Sequence, residues 1–330
     1  MIETPATVQA ATLWRIPRAA AIVAVLALLL PLVTGETFLL YIATLVALYA
    51  IGAMSLHLVL RLGQFSLGHA AFMGIGGYTS VLLVTSLDVS WWLAAAAGTL
   101  LAAAMGLLVG PLVLRLKGVF FVLFTFTFGE FARQVFVEAV AVTGGSEGIF
   151  NIPAPAGFTT PTSFYYLVLA AALATVAICG QLLRSQFGDA IDAVRESETL
   201  AHSNGMPVFA IKVITFTISC GLVGMQGALE ASFVHYVSPI SYAFPESLRF
   251  VVINIIGGLG SLWGPVIGSA FLVALPELLR SWVDYQWVLY GVVLILLMKY
   301  LPGGLMDLPA LMRRLYRKSL PGAERSGGQR

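Results

Sequence analysis

An all-α polytopic membrane protein with about ten transmembrane helices is the fold class that this sequence predicts. Three observations carry the prediction. Of 330 residues, 59% are hydrophobic and only 10% are charged, whereas a soluble domain carries about 25% charged residues. The apolar residues fall in runs close to the ~20 residues that a ~30 Å hydrocarbon core demands of a helix. The basic residues collect on alternate connections between those runs. So much apolar surface with so little charge excludes a water-soluble enzyme, a disordered chain and a nucleic-acid binder.

The apolar runs lie near 19–35, 38–60, 69–87, 92–114, 118–141, 163–183, 208–230, 246–260, 265–283 and 285–301. The first follows Arg15 and Arg18 as a signal peptide would, but it ends at Thr34-Gly35-Glu36. That is a poor small-residue cleavage site, and another run follows at once, so the segment reads as a retained helix. Threading ten spans from an inner N-terminus puts fifteen basic residues on one side: Arg15, Arg18, Arg61, Arg115, Lys117, Arg184, Arg195, Lys212, Lys299, Arg313, Arg314, Arg317, Lys318, Arg325 and Arg330. The opposite loops hold Glu36, Asp88, Glu147 and Asp284. Only Arg133, Arg249 and Arg280 fall near outer helix ends. Both termini are therefore expected in the cytoplasm. The chain divides into a cytoplasmic N-terminal segment 1–18, one transmembrane domain 19–305 and a basic cytoplasmic tail 306–330. Two connections exceed a turn: a Gly/Pro-rich outer loop, 141–162, and a charged inner loop, 184–207.

Few residues offer chemistry of their own. No Gly-x-x-x-x-Gly-Lys-Ser/Thr loop is present to cradle ATP phosphates. Gly144-Gly145-Ser146-Glu147-Gly148 matches the nucleophile-elbow pattern, but it falls in an outer loop and not at a strand-to-helix turn. His57, His69, His202 and His235 show no metal-ligand spacing, and Cys179 and Cys220 read as small buried hydrophobes. No catalytic residue, metal site or bound cofactor is expected.

Glycine stands out instead, in two tracts. Gly63, Gly68, Gly74, Gly76 and Gly77 precede and enter the third span; Gly257, Gly258, Gly260, Gly264 and Gly268 cluster between the eighth and ninth. Two readings stand side by side. Gly260, Gly264 and Gly268 form a small-xxx-small ridge suited to close helix packing. Alternatively, the tracts break helices whose freed backbone groups line a polar path through the membrane. On the second reading Gln64, Ser66, His69, Asn254, Gly257 and Gly258 are candidate path residues beside Ser261, with Phe65, Phe72, Ile75 and Ile255 as an apolar wall. Three Glu-x-x-Arg pairs, Glu130/Arg133, Glu246/Arg249 and Glu277/Arg280, place opposite charges on one helix face, and the spans put all three toward outer ends.

The inner loop reads as a single short helix from Phe187 to Gly205. Phe187, Ile191 and Val194 recur at helical spacing, Asp189, Asp192, Arg195 and Glu196 take other faces, and Gly205 before Pro207 is a helix stop. Such a helix invites a cytoplasmic partner. Phe187, Gly188, Ile191, Arg195, Glu198, Ala201 and Gly205 are the candidate contact and turn residues.

Gly-Gln-Phe-Ser-Leu-Gly-His-Ala-Ala-Phe-Met-Gly-Ile-Gly-Gly-Tyr-Thr at 63–79 closely resembles the signature of branched-chain amino acid ABC transporter permeases. Lys117-Gly-Val-Phe-Phe, Phe128-Gly-Glu, Thr143-Gly-Gly-Ser-Glu-Gly-Ile, Gly257-Gly-Leu-Gly-Ser-Leu-Trp-Gly-Pro-Val-Ile-Gly and Pro276-Glu-Leu-Leu-Arg are similar to the same family in the same order. Together they point to the LivM-like member of the usual permease pair. The resemblance implies a type II importer fold in a bacterial inner membrane. It also implies two cytoplasmic ATP-binding subunits that use ATP and Mg, a second homologous permease or a second copy of this chain, and an external or periplasmic solute-binding protein. The 184–207 loop then corresponds to the segment that docks into the ATPase. One departure is notable: where the family commonly reads Asn-Glu-Ile-Ala-Ala-Glu-Ala-x-Gly-Ile-Asn, residues 197–207 read Ser-Glu-Thr-Leu-Ala-His-Ser-Asn-Gly-Met-Pro, keeping Glu198, Ala201 and Gly205. The implied role is a non-catalytic permease subunit for branched-chain or related amino acids, with amides, urea or sugars as alternative cargo. An ion- or proton-coupled secondary transporter is the competing class. Such a transporter would need an acid deep in a span, and Glu138 and Glu230 map near outer boundaries.

Overall fold

The computed structural model describes residues 27–31, 37–278, 288, 291, 292, 295, 299, 301 and 303–308. Residues 27–31 are helical. In chain order the helices that follow are α1 (Thr37–Arg61), α2 (His69–Leu87), α3 (Trp91–Val113), α4 (Val119–Glu138), α5 (Val140–Thr143), α6 (Pro161–Arg184), α7 (Gln186–Glu196), α8 (Glu198–Ser203), α9 (Val208–Val234), α10 (Phe244–Gly257) and α11 (Gly264–Leu278). Six of them, α1 to α4, α6 and α9, are long and apolar enough to cross a membrane. The protein is a multi-pass membrane protein. Its first and tenth expected spans, 19–35 and 285–301, fall largely outside the described residues, as does the tail beyond 308.

Burial separates the bundle's centre from its lipid-facing rim. Helix α9 packs against α1, α2 and α3 and is buried on most sides, as a helix that is apolar all round should be. Its contact with α2 is backbone to backbone: a Cβ added at Gly76 would lie 2.5 Å from the Gly224 Cα. Dense packing of this kind holds helices together where lipid supplies no hydrophobic drive between them. The rim is α4, which buries only Phe121, Thr125 and Ala132 and turns Phe120, Leu123, Phe131 and Val135 outward. Helix α3 likewise presents Leu100, Leu108 and Leu112.

The eighth expected span departs from a simple crossing. Helix α10 has 14 residues, or about 21 Å of helix, short of a ~30 Å core; α11 is described over Gly264–Leu278. The two helices form an antiparallel hairpin, since Gly264 meets Gly257 while Gly268 meets Ile253. Its direction follows from α1, against which α10 runs parallel: Arg249 meets Tyr49, and Asn254 meets Ala53 and His57. At the tip, Leu262 joins the apolar cluster of Leu58 and Leu62 at the C-terminal end of α1. The physical cause of the break is the tract Gly257-Gly258-Leu259-Gly260. Glycine loses the most entropy on ordering, and here Gly258 adopts φ 109° to leave the helix. The small-xxx-small ridge is therefore only partly a helix face. Gly264 and Gly268 sit against α10, whereas Gly260 lies in the break, where an added Cβ would meet nothing within 4 Å.

A second irregular stretch, residues 62–68, joins α1 to α2 and lies buried among helices for most of its length. At the C-terminal end of α9, Ile149–Phe150 (β1) pairs antiparallel with Tyr236–Val237 (β2) and clasps the 141–162 loop to that helix end. His235, at φ 58°, donates from Nδ1 to the Ile152 carbonyl at 2.8 Å. The Gly-x-Ser-x-Gly match is a 3-10 turn, Gly145–Glu147, in this clasp and not a strand-to-helix elbow.

Candidate functional site

The inner loop folds as two helices where one continuous helix is expected. Ser197 is extended, at φ −161° and ψ 109°, and separates α7 from α8. Each helix has its own side-chain cap: Ser185 accepts from the Phe187 N–H and Ser197 from the Leu200 N–H, both at 3.2 Å. Gly205 closes α8 at φ 78°, the left-handed conformation expected of it.

The expected apolar stripe holds: Ile191 and Val194 are fully buried with Met54, Leu58, Cys179 and Leu183. Gly188 has no room for a Cβ against the Leu183 backbone, which fixes the angle between α6 and α7. Charge completes the anchorage. Arg61, at the end of α1, donates to both oxygens of Asp192, at 3.1 and 2.5 Å. Glu198 pairs with Lys212 at the start of α9 and, at 2.9 Å, with Lys117 in the α3–α4 connection. Burial by itself pushes the Glu198 carboxyl up, but hydrogen bonds and charges from Lys212 and Lys117 outweigh it and hold the carboxyl below the usual carboxylate range.

Two candidate docking residues are thereby reassigned. Glu198 is consumed by contacts within the chain, and Ala201, at 3% exposure, faces the bundle. The physical reason is shared: α8 is only six residues long, so its anchoring must come from these two positions. The outward face carries Asp189, Arg195, Thr199, Leu200, His202 and Asn204. Leu200, at 63% exposure, is its large apolar residue.

The candidate path residues lie in the packed interior. The Asn254 amide donates to the Ala53 and Phe250 carbonyls, both at 2.9 Å, which uses both of its protons. Its oxygen must then accept from His57 Nδ1–H at 3.0 Å. A second chain runs through His69. Ser219 gives its proton to the Ser55 carbonyl at 2.6 Å, so it accepts from His69 Nε2–H at 2.8 Å. That leaves His69 Nδ1 to accept from Ser66 at 3.0 Å. Ser66, His69 and Asn254 are completely buried, and Gln64 nearly so. Gly257 and Gly258 abut Gly264 and Gly303. In this arrangement His69 and Asn254 bind helices to one another, and Gln64, Gly257 and Gly258 lie buried beside their neighbours. The expected wall divides: Phe72 is core, Ile75 and Ile255 are partly buried, and Phe65 stands open at 43%.

The ion pairs are also placed more deeply than the spans implied. Arg249 donates to the hydroxyl of Tyr49, the central residue of the 25-residue α1, and its guanidinium lies 5.1 Å from that ring's centroid. Glu246 holds Arg249 at 3.0 Å. Glu130 pairs with Arg133 at 2.8 Å and also receives the Phe244 N–H at the first turn of α10. The Glu277 side chain and Arg280 lie outside the described residues. Sequence reading missed Tyr49, Gln226 and Glu230 as polar partners in this region. Gln226 Nε2 donates to Glu230 at 3.2 Å, an i,i+4 contact whose spacing was the available signal. Among the described residues no group of histidine, cysteine or acidic side chains is arranged to hold a metal.

Comparison with known proteins fits this architecture. Residues 38–298 match the family described as branched-chain amino acid transport system / permease component. The chain is 33% identical over 295 residues to the high-affinity branched-chain amino acid transport system permease protein LivM of Escherichia coli (strain K12), covering 81% of this chain and 69% of that one. Against LivM of Salmonella typhimurium (strain LT2) the identity is 32% over the same shares. Against LivH of that organism it is 23%, covering 80% of this chain and 91% of the other. No solved structure matches. With its long apolar helices, irregular buried breaks and family match over most of its length, the chain belongs to the branched-chain amino acid transport permease family.

Proposed function

We infer that this chain is the transmembrane permease subunit of an ATP-driven importer of branched-chain or related amino acids in a bacterial inner membrane. Its partners on this reading are two cytoplasmic ATP-binding subunits, a second permease chain and an external solute-binding protein. The observation that carries the reading, beyond family membership, is the α7–α8 pair. It is tied to α1, α3–α4 and α9 by Asp192 and Glu198, so a push on it reaches three elements of the bundle. A partner that prefers one arrangement of these helices would bias the bundle toward one access state. The chain itself performs no chemistry in this scheme; ATP and Mg belong to the partner.

The test is reconstitution with an ATP-binding partner in proteoliposomes. Leucine uptake should require ATP and be indifferent to collapse of ion gradients. Leu200→Asp should leave the permease folded yet lower ATPase co-purification and uptake together, by about tenfold if the lost docking energy is about 1.4 kcal/mol. Parent-like behaviour of that variant would remove α8 from the docking surface.

A gradient-driven carrier is the second reading, favoured by Glu230 and Glu246 lying beside a mid-membrane arginine. Uptake that persists without ATP and stops with a proton or sodium gradient would establish it.

A further inference from the structure

Arg249, Glu246 and Glu230 share one place in the middle of the bundle. Arg249 is held at the midpoint of α1 by Tyr49, yet 44% of its side chain is exposed. Glu246 uses one oxygen on Arg249; its other oxygen, Oε1, is buried without a partner. Gln226 is fully buried and its Oε1 is likewise unpartnered, while its amide steers Glu230. Glu230 lies within electrostatic range of both Glu246 and Arg249.

Three physical arguments converge on a ligand. A half-exposed guanidinium at this depth cannot be left to hydrocarbon, so its open side faces water or protein. Two acidic side chains and Gln226 stand beside one cation, and the buried Glu246 Oε1 and Gln226 Oε1 have no donor, which leaves room for a donor-bearing group. Arginine has five N–H donors, and Tyr49 and Glu246 engage a single nitrogen, Nη1. A group with acceptors alone would satisfy only Arg249, and one with donors alone only the unpartnered oxygens. A molecule carrying both signs on neighbouring atoms satisfies the whole set.

We propose that Arg249, Glu246 and Glu230 form a mid-membrane site for the charged ends of a zwitterionic amino acid, the guanidinium receiving its carboxylate and the two acids its ammonium group. The site rests on the transport reading above and adds to it the residues that hold the cargo in transit. Tyr49 and Gln226 act as positioning residues, aiming Arg249 and Glu230. The side chain of the cargo is left to the apolar surroundings.

Ligand-observed saturation-transfer NMR on the complete transporter in nanodiscs, without the external binding protein, tests this. The probes are leucine, leucine methyl ester, which lacks the carboxylate, and 4-methylpentanoate, which lacks the ammonium. Arg249→Met should weaken leucine about tenfold while changing the ester less than threefold. Glu246→Gln and Glu230→Gln should weaken leucine about tenfold while changing 4-methylpentanoate less than threefold. Arg249→Lys keeps the charge without the fork and serves if the methionine variant does not assemble; it should show the same preference at smaller amplitude. A clamp with no ligand role would shift all three probes alike or none, and either result overturns the site. If the parent imports leucine with ATP while the variants behave that way, the site alone fails. A parent that neither imports nor binds leucine overturns the transport reading and the site with it.

Discussion

Asn254 is fully buried and makes three hydrogen bonds. Asn254→Ala strands His57 Nδ1–H and removes a donor from the Ala53 and Phe250 carbonyls. Leaving a buried polar group unsatisfied costs about 1–3 kcal/mol, so detergent-solubilised Asn254→Ala should melt at a clearly lower temperature than the parent. An unchanged melting temperature would mean that the α1–α10 contact is held by packing alone. Glu198 gives a prediction in pH. Its carboxyl is held below the usual carboxylate range, so its contribution is fully present above that range and fades only as pH falls through the lowered value. Hydrogen exchange of residues 198–203, corrected for intrinsic rate, should therefore stay protected from neutral pH to below the ordinary glutamate range and rise beneath it. Glu198→Gln should show the raised exchange at every pH. At this scale the sequence revealed which polar residues were unusual but not what they touch. His69 and Asn254 were visible as polar residues in apolar runs; their partners Ser219 and His57 lie 150 and 197 residues away. No local pattern encodes such distances.

At the scale of elements, the long helices were legible because a single constraint sets them. A span must be apolar for about 20 residues, and α2 begins and ends where the composition says, at His69 and Leu87. The hairpin was not legible, because the stretch 246–283 is apolar enough for two crossings and only the three-dimensional meeting of Gly257 with Gly264 shows the turn. The inner loop failed for a related reason: Ser197 fits a helix interior and a cap equally well by sequence, and its cap role appears only once Leu200 N–H is seen to point at it. The glycines turn this difference into a series. A Cβ at Gly268 would fall 3.0 Å from the Ile253 carbonyl carbon and 3.1 Å from the Gly257 nitrogen, and one at Gly264 3.1 Å from the Gly258 carbonyl carbon, whereas Gly260 is open. Gly264→Leu and Gly268→Leu should each pry α11 from α10 and lose expression or uptake by tenfold or more. Gly260→Leu should remain within twofold of the parent in uptake assays. Equal loss in all three would mean that the tip packs against something beyond this chain.

For the whole molecule, the decisive quantity is which side of the membrane each end of the bundle faces. The hairpin returns the chain to the side from which it entered, as two full crossings would, so the sidedness expected of later segments does not depend on the depth α10 and α11 reach. The inner cluster of Arg61, Lys117, Arg184, Arg195 and Lys212 lies at one end of the described bundle, with α7 and α8. The strand clasp and Ser146 lie at the other. Cysteine labelling reads this directly, because Cys179 and Cys220 are both buried and leave little background for an impermeant maleimide. Ser146 is exposed in the outer turn, Ser203 at the end of α8 and Gly260 at the hairpin tip. In intact spheroplasts, Ser146→Cys should label at once, and Ser203→Cys only after the membrane is permeabilised. Gly260→Cys should follow Ser203→Cys, since Leu262 at the tip shares one apolar cluster with Leu62 of the α1 end and Ala201 of α8. Labelling of Ser203→Cys in intact cells would invert the bundle and leave α7 and α8 no access to a cytoplasmic ATPase. Labelling of Gly260→Cys alongside Ser146→Cys would leave the bundle upright and reverse only the hairpin.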